Sequence, residues 1–348
     1  MRREAAAGRN DVSRAARRWL GVGAILVVAA LASPRSLAQQ RAPTMGAAPQ
    51  IGVNLSGAEL NPGKDRRNFD YVLPTEKQID HFVARGIRMF RIPVLAERLL
   101  GRGPEGEKTE DWLALRTLIE HARDAGASVI VDFHQYGRTR AGLIGRDGAA
   151  TREFAAAWGE TARRLRRHRN VIFGLMNEPH EQSAAEWLKG ANAAIAAIRA
   201  AGAHQLILAP GSYWTGAHSW TTTDNGEVMK GIVDPERNFA YEVHQYLDAD
   251  SSGTKPEVVA GAGASRLSAF TAWARANRAR AFLGEFGFAA TPQALAEGAA
   301  LLRFMEQNRD IWIGGAYWAA GQWWGDYMFS IEPKNDRDRP QLDVLLAK

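Results

Sequence analysis

Two glutamates stand out for where they fall. Glu178 follows the apolar run Val171–Met176 after a single asparagine, and Glu285 follows Ala281–Gly284 directly. Paired carboxylates can divide the work of glycosidic bond cleavage: one protonates the leaving oxygen while the other attacks or activates water. The two lie 107 residues apart, so only a fold that gathers the ends of separate strands can pair them. Other polar residues sit at comparable points. Arg91 ends one apolar run and His134 another. His244 ends a third, with Tyr246 two residues on, and Trp318 closes the last. Each alone has an ordinary reading, as a satisfied structural histidine or a solvated turn. Packing alone does not require all of them at equivalent ends.

The segments that must position these residues alternate. Short apolar runs at Ile51–Leu55, Arg88–Ile92, Val129–Phe133, Val171–Met176, Gln205–Ala209, Phe239–His244, Ala281–Gly284 and Ile311–Trp318 read as buried strands. Helices are predicted over 76–85, 111–125, 151–167, 184–201, 265–277 and 292–308. Thr75 to Gln78 and Ser183 to Glu186 form capping boxes, with Gly86 and Gly202 as stops. Thr291-Pro292 places an N-cap before a first-turn proline. The Gly/Trp/Thr-rich interval 211–237 reads as a long loop with little helix. Eight strand units with helices between most of them predict an α/β chain folded as one (β/α)8 TIM barrel over residues 50–348. Such barrels build their sites at the C-terminal ends of the strands. A doubly wound open sheet would call for a phosphate-binding glycine loop after the first strand, and Gly52-Val53-Asn54-Leu55-Ser56-Gly57 lacks that spacing.

Met1–Ala38 reads as a secretory signal peptide. Arg14, Arg17 and Arg18 precede a 14-residue apolar stretch at Trp19–Ala32, and Ser36-Leu37-Ala38 offers a cleavage site. The apolar stretch is too short to span a bilayer comfortably, so no membrane partner is expected after cleavage. Residues 39–49 form a short approach segment. Arg17-Arg18 weakly resembles a twin-arginine signal. The leader holds 7 of the 44 Lys+Arg and 2 of the 38 Asp+Glu, which leaves 37 basic against 36 acidic residues. That balance removes the case for nucleic-acid binding. The remaining basic run, Arg163 to Arg169, ends a predicted helix and reads as its solvated face. With no cysteine, disulfides, thiolate metal sites and thiol nucleophiles are excluded.

In order along the chain come Phe90-Arg91-Ile92-Pro93, Asp132-Phe133-His134, Gly174-Leu175-Met176-Asn177-Glu178-Pro179, His244-Gln245-Tyr246, Gly284-Glu285-Phe286-Gly287 and Tyr317-Trp318. This set resembles glycoside hydrolase family 5, the retaining cellulase family, over roughly residues 50–335. Gly211 to Trp220 and Trp323 to Pro333 look like its secreted endo-β-1,4-glucanase subgroup. Fungal relatives commonly carry cysteines, a departure that touches stability more than chemistry. The resemblance implies a secreted or periplasmic endoglucanase acting on β-1,4-glucan, with no cofactor and no metal, expected to be a monomer. It implies Glu178 as acid/base and Glu285 as nucleophile. Asn177 would hold the sugar 2-OH, and Arg91 and Tyr246 would bond the nucleophile. His244 would contact the acid/base, His134 would bind a sugar hydroxyl, and Trp318 would floor the subsite beside the cleaved bond. A retaining pair is expected about 5–5.5 Å apart.

Further aromatics fit a sugar cleft, because flat pyranose faces pack on rings. Trp214, Trp220, Trp318, Trp323 and Trp324 fall in strand-end segments, and Trp214 and Trp324 are the favoured stacking residues. Trp112, Trp158, Trp187 and Trp273 lie in predicted helices and read as core. Asn54, His218 and Glu332 are weaker binding candidates. Asp132 shares strand parity with His134 and stays unassigned. Three rivals remain: the same chemistry on mannan, xyloglucan or mixed-linkage glucan; a metal-dependent barrel hydrolase using His134, His244 and the carboxylates; and a non-catalytic sugar-binding barrel.

Overall fold

The structure, a computed structural model, describes residues 47–101 and 109–347. The expected leader at 1–38 and most of the approach segment lie outside the described residues. Eight parallel strands close into a barrel in sequence order: β1 Gln50–Leu55, β2 Met89–Val94, β3 Ser128–Phe133, β4 Val171–Gly174, β5 Ile207–Pro210, β6 Phe239–His244, β7 Ala281–Phe286 and β8 Trp312–Ala320, which pairs back onto β1. This is the expected single (β/α)8 barrel.

The long helices fall where caps and periodicity put them. Thr75 and Ser183 both form complete capping boxes, and Thr291 caps the helix that Pro292 opens. Gly86 follows the first helix at φ +99°, a conformation that side-chain-bearing residues avoid. Two helices begin three residues earlier than expected, at Gly148 and Ala262. Neither has a side-chain cap of its own. The Ala262 start is capped from a distance: the Glu297 carboxylate accepts from the Gly261 and Gly263 amides at 2.7 and 2.9 Å. Local sequence carries no trace of such a cap. Short helices at Ala96–Leu100 and Pro340–Leu346 also went unpredicted, each too brief to show a period.

The interval 211–237 is the expected loop, with only short helical turns at Tyr213–Thr215, Asn225–Val228 and Met229–Gly231. It is nonetheless well fastened. Buried Asn225 bonds both the amide and the carbonyl of Ser212, and the Ala217 amide donates to the His244 carbonyl at 3.0 Å. Trp220 is a correction to the sugar-cleft reading. It is fully buried against Tyr241, Phe270 and Trp273.

The core has two parts. Between strands and helices, Trp158 and Trp187 are fully buried, and their indoles donate to the Leu175 and Pro210 carbonyls at 3.0 and 2.7 Å. These bonds fasten helices to the ends of β4 and β5. Inside the barrel, Met89, Ile130, Ile172, Leu206, Leu208, Ala240, Phe282, Ile313 and Ala316 form a separate apolar floor. The basic run behaves as a helix end, with Arg163 and Arg164 paired to Glu160 and Arg164 lying over the Trp112 ring. No helix among the described residues is long and apolar enough to cross a membrane.

Candidate active site

Side chains alternate along a strand, so residues two apart share a face. Above the apolar floor, that parity lifts Arg91, Asp132 and Glu242 into the lumen, over Met89, Ile130 and Ala240. All three are fully buried. The next layer holds His134, Asn177, Glu178, His244 and Glu285. Glu285 does not follow simple alternation from Phe282. The β6–β7 register shifts between Val243/Leu283 and His244/Glu285, leaving Gly284 as the extra residue of a bulge. A bulge re-aims the side chain beyond it.

Arg91 organises the lumen. Its Nη1 donates to Glu285 Oε1 at 3.0 Å and to Asn54 Oδ1 at 2.9 Å, and its Nη2 donates to Asn177 Oδ1 at 3.0 Å. It also pairs with Asp132 at 3.1 Å and Glu242 at 3.2 Å. Burial opposes its charge, but these carboxylates more than offset that and raise it above the ordinary arginine value. Tyr246 donates to Glu285 Oε2 at 2.9 Å. Glu285 thus has a fixed donor on each oxygen. Glu178 instead meets the His244 Nδ1 at 2.8 Å. Its side chain is 17% exposed against 5% for Glu285. An oxygen of Glu178, an oxygen of Glu285 and a nitrogen of His244 all lie within 4.8 Å of one another. Glu178 itself sits at φ 42°, a left-handed conformation that costs about 1–3 kcal/mol and tends to cluster at functional sites.

The site shifts its own titrations. Burial raises the Glu285 carboxyl, against the pull of His244 and Arg91. Burial opposes charge on His244, yet Glu285, Glu178 and Glu242 together push it up to about 10. Burial likewise opposes charge on His134, and the Asp132 carboxylate 2.9 Å from its Nδ1 raises it all the same. That contact leaves His134 Nε2 as the nitrogen able to meet a ligand hydroxyl. Burial and Glu285 push the Tyr246 hydroxyl well up, so it stays a donor.

Aromatic rings run in an unbroken arc around the mouth. Trp214, 53% exposed, stacks on His180 at 4.4 Å and 5°. His180 meets Tyr136, Tyr136 meets His134, and His134 stacks on Trp318 at 5.5 Å. From Trp318 the arc continues through Trp324, Tyr327 and Phe329 to Tyr246. Trp318 and Trp214 therefore belong to one continuous run of rings, and half-buried Trp324 stands edge-on to Trp318. His218 is exposed and its ring lies 3.2 Å from Gln245 Oε1.

Asn54 is a correction. It is fully buried, and its amide donates to the Gly284, Ala316 and Tyr317 carbonyls at 3.0–3.3 Å. With its oxygen taken by Arg91, it supports the bulge and the guanidinium and has nothing left for a sugar. Glu332 accepts from Gln78 at 2.9 Å. Sequence reading missed Glu242, Tyr136, His180 and Tyr327. Glu242 carries a signal in the sequence: it stands two residues before His244, the same parity that Asp132 has with His134. The others lie on loops, where no period marks the inward face.

A closed (β/α)8 barrel with two glutamates on the ends of β4 and β7 is the architecture of a glycoside hydrolase. The pattern of the Cellulase family (glycosyl hydrolase family 5) matches residues 47–322. Endo-beta-1,4-glucanase B of Aspergillus niger is 37% identical over 288 residues, 81% of this chain and 85% of that protein. The endo-beta-1,4-glucanase of Xanthomonas axonopodis pv. citri superposes with a TM-score of 0.81 at 39% identity, covering 86% of this chain and 97% of that one. XacCel5A, solved in complex with cellopentaose, also gives 0.81 at 38% identity, covering 85% and 97%. The chain belongs to the cellulase family, glycosyl hydrolase family 5.

Proposed function

We propose that this protein is a secreted, retaining endo-β-1,4-glucanase that cuts internal bonds of β-glucan by double displacement. The enzyme class is endo-1,4-β-glucanase. The observation that carries the mechanism is the approach of Glu178 and Glu285, with one oxygen of each within 4.8 Å of the other. Retaining pairs stand about 5–5.5 Å apart, whereas inverting pairs need about 6.5–9.5 Å to admit a water. Glu285, clamped by Arg91 and Tyr246 with a donor on each oxygen, is the nucleophile, its carboxyl fixed in place for attack. Glu178, more open and held by His244, is the acid/base. Asn177 has its oxygen held by Arg91, which turns its NH2 toward the sugar 2-OH. His134 bonds a further hydroxyl, and Trp318 floors the subsite beside the cleaved bond. Trp214, Trp324 and His218 extend the glucan contact along the cleft.

Metal-dependent hydrolysis is the weaker reading. Both Glu285 oxygens already take donors, and the Arg91 guanidinium 3.0 Å away repels a cation. No cofactor enters the proposed reaction. Export proceeds by cleavage near Ala38–Gln39, and the mature enzyme acts as a monomer. Proton NMR of the first product tests the mechanism: a β-anomer is expected, and an α-anomer rejects double displacement. Carboxymethyl-cellulose and mixed-linkage glucan should lose viscosity before reducing ends accumulate. A higher kcat/KM on mannan would reassign the substrate. Amino-terminal sequencing of the exported protein tests the cleavage point.

A further inference from the structure

We propose that Glu242 is a positioning residue that keeps His244 cationic, so that one fixed charge serves both Glu178 and Glu285 as negative charge passes between them. This rests on the double-displacement reading above. Glu242 is fully buried, on the same inward face of β6 as His244. Its Oε1 lies 3.2 Å from Arg91 Nε and 3.7 Å from His244 Nε2. Among the described residues, neither of its oxygens meets hydrogen-bond geometry with a partner, and nor do Arg91 Nε and His244 Nε2. Its contacts are therefore those of charge with charge. A buried carboxylate is costly unless paired, and nothing in the bond-making chemistry uses this one directly.

The surrounding chain is built to admit it. A Cβ placed on Gly284 would stand 2.1 Å from Glu242 Oε1, so the bulge residue of β7 must be glycine for this carboxylate to fit. Thr215 Oγ1 donates to the Glu242 carbonyl at 2.6 Å, and Pro210 pairs beside it on β5. The position is held from both neighbouring strands and from the 211–237 loop.

His244 faces Glu178 at 2.8 Å from the β4 end, Glu285 at 3.6 Å from β7 and Glu242 at 3.7 Å from its own strand. Arg91, His134 and Asp132 complete the charged layer from β2 and β3, with Tyr246 following β6. Double displacement requires Glu285 to attack as a carboxylate and Glu178 to deliver a proton, with His244 between them. In the first step the C1–O4 bond breaks, O4 takes the Glu178 proton, and Glu285 forms a bond to C1. Glu285 becomes a neutral ester and Glu178 an anion, so one of the two keeps a negative charge beside His244. In the second step water attacks C1, its proton goes to Glu178, and the ester bond electrons return to Glu285. Negative charge moves from one neighbour of His244 to the other and back, and the imidazolium never has to release its proton. Glu242 is the one of its three carboxylate neighbours that takes part in neither transfer.

Glu242→Gln keeps the shape and removes the charge. The alkaline limb of kcat/KM should then move down by about one pH unit or more. The kcat should fall about tenfold or more, with KM changed less than about twofold, while the product stays β. Nitrogen-15 NMR of the wild-type histidines should show both His244 ring nitrogens protonated at pH 7 to 8, its signal assigned by loss in His244→Gln. A neutral His244 ring at pH 7 overturns the proposal even where Glu242→Gln does not fold. A folded Glu242→Gln with an unmoved alkaline limb and a β-product overturns it and leaves double displacement intact. An α-product from wild type rejects the mechanism itself, and the proposal with it.

Discussion

The two halves of the barrel lumen share strands, parity and burial, yet they are held together by opposite physics. The lower half is the apolar floor of Met89, Ile130, Ile172, Leu206, Leu208, Ala240, Phe282, Ile313 and Ala316. One step up the same strands, Met89 gives way to Arg91, Ile130 to Asp132 and Ala240 to Glu242, all equally closed to solvent. The floor gains from each carbon removed from water, about 25 cal/mol per Å². The charged layer gains little or nothing from burial, since desolvating ions can cost more than their attraction returns. Its return is functional: donors and charges set in place before substrate arrives cost no reorganisation during the reaction. One barrel thus uses its lower half for stability and its upper half for chemistry.

This contrast can be broken at either end. The largest effect should come from Glu285→Gln, which removes the nucleophile and should lower hydrolysis of unactivated glucan by at least about 10³-fold with folding retained. Glu178→Gln should cost about 10²–10⁴-fold. Glu178→Ala should keep more activity on aryl glycosides with good leaving groups, and azide should rescue it. If Glu285→Ala behaves that way instead, the two roles are reversed. In the floor the balance inverts: Phe282→Ala should cost about 3–5 kcal/mol in denaturant unfolding, while kcat per folded molecule changes little. Loss of kcat without loss of stability would refute the division.

Smaller effects sharpen the contrast. His244 has a folded-state value near 10 against an ordinary 6.5. A raised value means that its contribution to stability is full below about pH 6.5 and drains away as pH rises toward 10. Thermal midpoints taken from pH 6 to 10 should therefore fall for the wild type and fall less steeply for His244→Gln; parallel curves would refute a charged His244. Least affected should be Trp214→Ala. Its ring is half exposed on the outer arc, so loss of one stacking face should cost less than about tenfold in kcat/KM on polymer. Activity on short aryl glycosides should be unaffected.

Much of this was legible without coordinates, for a physical reason. Strand parity and helix caps are local, so β6 at Phe239–His244 and the helices opened by Thr75, Ser183 and Thr291 could be placed from residue order alone. The same locality put Glu178, Glu285, His134 and His244 at strand ends, which in a closed barrel means at one mouth. What residue order could not determine depends on atoms distant in sequence. The Glu297 cap on the helix at Ala262, the close fit of Gly284 against Glu242 and the burial of Trp220 each join segments far apart in the chain. Asn54 looked like a binding group because its type is polar and its position is a strand end. Only the closed lumen showed all its bonds taken. Residue type and spacing determined which chemistry was on offer. The tertiary structure decided which polar groups were left free to perform it, because hydrogen-bond satisfaction and charge balance belong to the packed interior as a whole.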